Sequence, residues 1–210
     1  METKFVITIG RQFGSGGREI GRIIAEKLGI KYYDKELLAA AAESSGVKTE
    51  FFEESDERTP NFFSHSNLWS FNIGYNIGDF FSANVSFSNE NLYRAQSDVI
   101  KDFASQSSCV IVGRSADYVL REHPCLISVF IHASESACAK RIIKRGECKT
   151  EEEAFTMAEK KNKIRSSYYN FYTDKEWGNA ASYDLCIDSS KLTSEQIADI
   201  IVEYTKKRIG

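Results

Sequence analysis

At 210 residues the chain has the length of one large domain or two small ones. Hydrophobic residues at 42% and charged residues at 27% exclude disorder, collagen and coiled coil as descriptions of the whole. A net charge of −3 provides no global basic field for nucleic acid or an anionic membrane, and no apolar run reaches the roughly 20 residues that cross a bilayer, so a single soluble, cytoplasmic domain is expected.

Strand and helix signals then alternate along the chain. Residues 5–9 form an apolar-rich run ending at Gly10, the pattern of a strand buried on both faces. Ile20, Ile23, Ile24 and Leu28 recur at helical spacing, and Gly29 supplies a left-handed stop. Residues 30–33 predict a short second strand, after which Asp34 is placed to cap a helix running through Leu37, Leu38 and Ala41. Val99, Ile100 and Phe103 mark a further amphipathic helix, and residues 109–112 a third buried strand closed by Gly113. Residues 126–131 predict a fourth strand, and Ser134 caps a helix carrying Cys138, Arg141, Ile142 and Arg145. Thr150-x-x-Glu153 and Thr193-x-x-Gln196 are capping-box patterns that open two more helices, with a fifth strand at 184–188 between them. Five short strands separated by helices predict a doubly wound α/β domain with a parallel sheet, whose ligands bind at the carboxyl ends of the strands.

One stretch fits none of these periods. Between Arg58 and Arg94 there is no lysine or arginine, while nine aromatic residues, among them Trp69, Phe71, Tyr75, Phe80 and Phe81, crowd the same window. Such a segment suits core packing, the stacking of a base or a homodimer interface. The five cysteines (Cys109, Cys125, Cys138, Cys148 and Cys186) are odd in number and form no C-x-x-C pair, so they are expected to be small core residues. His65, His123 and His132 stand alone, without the spacing of a metal site or a triad.

The chemistry concentrates in Gly10-Arg-Gln-Phe-Gly-Ser-Gly-Gly-Arg-Glu19, which joins the first strand to the first helix. Small residues there let successive backbone amides converge on an anion, and the helix adds its unpaired amides and positive dipole end. Arg11 and Arg18 flank the turn, where they can add charge-assisted hydrogen bonds to phosphate. The loop resembles the Walker A loop of P-loop kinases but departs from G-x-x-x-x-G-K-[ST]. Aligning Gly14-Ser15-Gly16 on the glycine–serine–glycine of that loop puts Gly17 where lysine belongs and Arg18 where serine or threonine belongs. Ser15 is then the nearest hydroxyl for Mg²⁺. The same glycines also match the pattern of short-chain dehydrogenases, with Asp34 as a ribose ligand, although none of the tyrosines is followed by lysine four residues on.

Further candidates stand at the other strand ends. Asp34 follows the second strand, and Gly113-Arg114-Ser-Ala-Asp117 follows the third. Arg141 and Arg145 lie one turn apart on one helix and Arg165 on the next, after the basic run 160–163, which is expected to be solvated. A hairpin of helices carrying arginines suits phosphoryl transfer, in which negative charge must be stabilised without proton transfer.

Taken together, Ile7-Thr-Ile-Gly-Arg-Gln-Phe-Gly-Ser-Gly-Gly-Arg-Glu-Ile-Gly21, Tyr32-Tyr-Asp-Lys-Glu-Leu-Leu38, Cys109-Val-Ile-Val-Gly-Arg-Ser-Ala-Asp117 and Tyr183-Asp-Leu-Cys-Ile187 resemble the cytidylate kinase-like family of P-loop proteins. The resemblance implies a P-loop fold with a five-stranded parallel sheet of order 2-3-1-4-5, helices on both faces and a short helical lid at about 141–168. It also implies ATP as donor, Mg²⁺, and a nucleoside monophosphate acceptor. Arg11, Gly14, Ser15, Gly16, Gly17 and Arg18 would then hold the donor phosphates, with Ser15 toward the metal. Asp34, Arg114 and Asp117 would address the acceptor, and Arg18, Arg141, Arg145 and Arg165 the transferring group. Three expectations follow: a nucleoside monophosphate kinase or related phosphotransferase, a nucleotide-binding regulator with little turnover, and an NAD(P)-dependent dehydrogenase.

Overall fold

The computed structural model describes residues 4–34 and 89–210. The helix expected after Asp34 and the aromatic window up to residue 88, with the dimer interface it suggested, lie outside the described residues.

The elements in chain order are β1 (Val6–Arg11), α1 (Gly17–Leu28), β2 (Lys31–Tyr33), α2 (Asn89–Gln106), β3 (Cys109–Val112), α3 (Ala116–Val119), β4 (Leu126–His132), α4 (Glu135–Lys144), α5 (Glu151–Tyr172), a 3₁₀ turn (Ala180–Ser182), β5 (Leu185–Asp188) and α6 (Ser194–Ile209). The strands form one sheet of order β2-β3-β1-β4-β5 with every pair parallel. This is the expected P-loop order. It also removes the dehydrogenase alternative, because the dinucleotide-binding sheet runs 3-2-1-4-5-6 and sets β2, not β3, beside β1.

Burial follows the strand period. Ile7 and Ile9 face a cluster built from α1 (Ile20, Ile24, Ala25) and α6 (Ile197, Ala198, Ile201). Val6 of β1, with Cys109 and Ile111 of β3, faces α2 (Val99, Ile100, Ala104) and α3. Each such isoleucine contributes roughly 1.5–3 kcal/mol by leaving water, so both faces of the sheet are locked by apolar burial. Residues on the edge strands β2 and β5 remain partly open, and Cys186 is exposed there; Cys125 and Cys148 are half-buried, so only Cys109 and Cys138 are the core residues expected.

The helix starts follow local chemistry. Ser134 Oγ accepts from the Ala137 amide, and both capping boxes close: Thr150 with Glu153, and Thr193 with Gln196. The α4–α5 hairpin has its own small core of Ala139, Ile142 and Ala154, with Met157, Ala158 and Phe13 packed against it. Phe13 belongs to the loop after β1, so this third cluster fastens the hairpin to that loop.

Candidate active site

The loop between β1 and α1 is shaped as an anion cradle. Gly14 and Gly16 take left-handed conformations (φ 82° and 88°), which turns the chain into the start of α1. The first-turn amides of α1 have no intrahelical acceptor and point out of the helix end. The Gln12 amide donates to Ile131 O (3.0 Å), and Gln12 Oε1 accepts from the Ala133 amide (3.1 Å), so the loop is tied to β4. Ser15 is fully buried, and its hydroxyl donates to Gln12 O at 2.9 Å. That hydroxyl thus closes a turn within the loop itself.

Two distant residues brace the loop from behind. Ser189, just past β5, is fully buried, with its Oγ 2.7 Å from Ser15 O and 3.0 Å from His132 O. Arg141 donates from α4 to Ser189 O (2.5 Å), to Ser189 Oγ (3.3 Å) and to Gly14 O (3.5 Å). A Cβ at Gly14 would lie 2.9 Å from both Cys138 Cβ and Cys138 O, so α4 packs directly on the glycine.

Beside the loop lies a cleft lined by Gly10, Arg11, Gly113, Arg114, Ser115, Asp117, Arg165, Tyr168, Tyr169, Trp177 and Tyr183. The Arg11 guanidinium occupies the space a Cβ would take at Gly113, and a Cβ at Gly17 would meet Arg11 Cβ at 2.7 Å. Two glycines from separate strand–helix turns therefore make the channel for one arginine. Arg114 and Ser115 both adopt left-handed conformations (φ 60° and 51°), a strained pair at the β3 end that turns Arg114 toward the cleft. Asp117 is buried and accepts a 2.6 Å hydrogen bond from the Tyr169 hydroxyl. Burial pushes the Asp117 carboxyl above its usual range, while the bond from Tyr169 pulls it back down. Burial, and then the Asp117 charge, drive the Tyr169 hydroxyl far upward, so it remains a donor at any working pH. Tyr183 also titrates above its usual range, first through burial and then through Asp117. Trp177 and Tyr183 are fixed against Phe130, each at 5.1 Å between ring centroids.

The hairpin closes over the other side of the loop. Asn162 Oδ1 accepts the Phe13 amide at 2.7 Å. Around the Phe13 ring stand Arg145 (5.3 Å to the centroid), Lys161 (5.2 Å) and Arg165 (5.3 Å), and Arg165 also donates to Arg11 O at 3.3 Å. Arg145 holds Glu147 at 2.8 Å. Arg18 and Asp34, which the sequence placed on the donor and acceptor sides, meet in one ion pair of 2.7 Å.

The expected residues thus fall into four places. Gly14, Ser15, Gly16, Gly17 and Arg141 build the loop or its brace; Arg11, Arg114, Asp117 and Arg165 meet at the cleft; Arg145 stands at the Phe13 ring; Arg18 and Asp34 pair at the β2 end. Sequence reasoning missed Phe13, Lys161, Asn162, Tyr169 and Ser189. The basic run is not uniformly solvated: Lys160 and Lys163 are exposed, whereas Lys161 is half-buried on Phe13. A signal for it existed, since Met157, Lys161, Arg165 and Tyr169 recur every four residues and so share one stripe of α5.

The model of the cytidylate kinase-like family matches residues 6–191. The chain belongs to that family. A cytidylate kinase from Pyrococcus horikoshii is 24% identical over 94% of this chain and 86% of its own length. Among solved structures, an uncharacterised protein from Eubacterium ventriosum is 28% identical, with a TM-score of 0.70 over 98% of this chain and 100% of that one. A shikimate kinase from Acinetobacter baumannii, solved with shikimate, shares the fold at 13% identity and a TM-score of 0.54, covering 98% and 95% of the two chains. A gluconokinase from Sinorhizobium meliloti shares it at 15% identity and a TM-score of 0.52, covering 97% and 92%. A P-loop kinase fold and a cytidylate kinase-like family together support a phosphotransferase. Among the described residues no helix is long and apolar enough to cross a membrane.

Proposed function

We propose that this protein transfers the γ-phosphoryl group of ATP to a small phosphorylated acceptor of the nucleoside monophosphate class. The observation that carries this is the adjacency of two anion sites. The cradle at Gly14–Gly17 shares Arg11 with a cleft that Arg114 and Arg165, from two other elements, line together with Asp117.

In this scheme the loop amides and the N-terminal turn of α1 hold the donor phosphates, and Arg141 with Ser189 keeps the loop in shape. Arg11 and Arg114 bind the acceptor phosphate, while Asp117, oriented by Tyr169, accepts from a hydroxyl or amino group of the acceptor. Asp34, steadied by Arg18, closes the acceptor side. An acceptor phosphate oxygen attacks the γ-phosphorus, the bond to the bridging oxygen breaks, and ADP leaves with the electron pair. A phosphate nucleophile is already largely ionised near neutral pH, its second pKa being about 6, so no general base is required. Arg145 and Arg165 stabilise the charge spread over the passing phosphoryl group, a contribution of about 10²–10³ in rate for a well-placed donor.

Among the described residues no three His, Cys, Asp or Glu side chains are grouped to hold a metal ion. Mg²⁺ fits this site as an ion carried chiefly by the nucleotide phosphates and water, which is its usual habit. Its charge would neutralise the phosphates there. We assign the protein to the cytoplasm, where ATP is available and where its five free cysteines remain reduced.

The test is ADP formation from ATP–Mg²⁺ against each ribo- and deoxyribonucleoside monophosphate, with unphosphorylated sugar and carboxylic-acid alcohols as a second panel. Turnover with one monophosphate is expected. A second function, nucleotide binding with little turnover, is favoured by one observation: the lysine position is Gly17. Nucleotide binding without ADP formation above background in either panel would establish it.

A further inference from the structure

Phosphate loops of this kind place a lysine after the last glycine, and here that position cannot hold any side chain, because a Cβ on Gly17 would meet Arg11 Cβ at 2.7 Å. The next residue, Arg18, is engaged with Asp34 at 2.7 Å. The point charge of a lysine on the transferring phosphates must therefore come from outside the loop. We propose that Lys161 of α5 supplies it, and that Phe13 is the residue that positions Lys161.

Helix α5 is held to the loop at two neighbouring residues. Asn162 accepts the Phe13 amide at 2.7 Å, and Lys161 Nζ lies 5.2 Å from the centre of the Phe13 ring. Backbone and ring of one loop residue thus fix the register of the lysine. Along the helix, Lys161 lies between Met157, which packs in the apolar cluster around Phe13, and Tyr169, which reaches Asp117 in the acceptor cleft. Its stripe therefore runs from the hairpin core, across the phosphate loop, to the acceptor.

Arg145 and Arg165 stand at 5.3 Å from the same ring. Each cation–ring contact is worth only about 0.5–1 kcal/mol at a partly exposed site, and Arg145 also holds Glu147. A polyanion in the adjoining cradle would contact all three cations at once. The two arginines present planar forks, suited to bidentate contact with phosphate oxygens, whereas an ammonium is a compact point charge. The three together make the mixed set expected for a polyphosphate chain. Phe13 thus both packs against the hairpin core and gathers these cations beside the loop.

This assignment rests on the donor side of the phosphotransfer proposed above, and binding separates the two. Calorimetric titration with inorganic tripolyphosphate and with ATP–Mg²⁺ is compared for the wild type, Lys161→Met, Lys161→Arg, Lys163→Met, Phe13→Leu and Phe13→Tyr, with kcat and KM measured on the same proteins. Lys161→Met is expected to weaken tripolyphosphate at least tenfold and to lower kcat on the order of 10²-fold, the size of losing one transition-state donor. Lys161→Arg recovers part of the binding, and Lys163→Met, on an exposed lysine two residues away, stays within twofold of the wild type. Phe13→Leu keeps the apolar contact but not the ring, and lowers kcat more than it raises KM for ATP; Phe13→Tyr restores both. If Phe13→Leu does not fold, the lysine variants decide alone. Tripolyphosphate affinity within twofold of wild type in Lys161→Met, or an equal loss in Lys163→Met, overturns the proposal. Weakened tripolyphosphate in Lys161→Met with no ADP from any acceptor in the wild type upholds Lys161 as the phosphate-binding cation and overturns the kinase function instead.

Discussion

The Tyr169 hydroxyl donates to Asp117 Oδ2 at 2.6 Å, joining the last turn of α5 to the short helix after β3 across 52 residues of sequence. This bond favours the charged form of a buried carboxyl, against the larger opposing effect of burial, and fixes its position in the acceptor cleft. A carboxyl whose folded pKa is raised stabilises the fold fully below its unfolded value, and that contribution is lost as pH rises through the folded value. Burial raises Asp117 from 3.8, so this titration is expected to cost the wild type stability from about pH 4 upward, until the carboxyl is ionised. Asp117→Asn removes the titration but still accepts from Tyr169. Urea unfolding of the two proteins between pH 3.5 and 8 should give curves that diverge over that range and then run parallel. Curves parallel throughout would mean that Asp117 titrates as an exposed carboxyl. Tyr169→Phe, which leaves the carboxylate short of a donor, should cost about 1–3 kcal/mol at neutral pH.

Two glycine substitutions separate strain from clash. Gly113→Ala forces a Cβ onto a left-handed residue, at about 1–2 kcal/mol, and displaces only the mobile end of Arg11. Its stability loss should therefore be moderate and its acceptor KM strongly raised. Gly14→Ala meets the Cβ and backbone of Cys138 at 2.9 Å as well as carrying positive φ, so its larger loss should appear in thermal stability and ATP affinity together. Equal effects on both quantities in the two variants would contradict this division.

Ser189→Ala should loosen the phosphate loop without touching substrate. The hydroxyl is fully buried and reaches Ser15 O at 2.7 Å, so its removal takes that donor from a buried carbonyl at about 1–3 kcal/mol, while His132 O keeps the Ser189 amide. KM for ATP should rise several-fold with the acceptor KM little changed, as read by initial rates at saturating co-substrate. A rise confined to the acceptor KM would place Ser189 on the wrong side of the site.

Arg18 is half-exposed at 49% and Asp34 largely covered at 13%, so their ion pair contributes no more than about 1 kcal/mol to stability. Asp34→Asn is thus expected to shift the unfolding midpoint only slightly while raising the acceptor KM on the order of tenfold. An unchanged KM would reduce the pair to a surface ion pair with no part in the reaction.

The elements that were legible are those specified by neighbouring residues. β1, β3 and β4 are continuous apolar runs because both their faces are covered, and the caps at Ser134, Thr150 and Thr193 act within three residues. The glycine loop announced its own geometry for the same reason. Arg141 was recognisable as a residue of the site but not as a brace, since that depends on Ser189, 48 residues away. The basic run 160–163 looked solvated because its composition says nothing about which helix face meets the loop. The four-residue spacing of Lys161 and Arg165 can be read from the chain, but which partner their stripe meets is decided only once α5 is docked on Phe13.

By itself the sequence determined the parallel sheet, the position of the phosphate loop and the absence of a lysine within it, because each is written in local pattern and steric identity. Tertiary structure alone decided where the cations stand. Arg11 is threaded between Gly17 and Gly113, and Lys161 is set on Phe13 by a helix bonded to the loop across 149 residues. Such convergence depends on long-range packing of the hairpin against the loop, which no local period encodes.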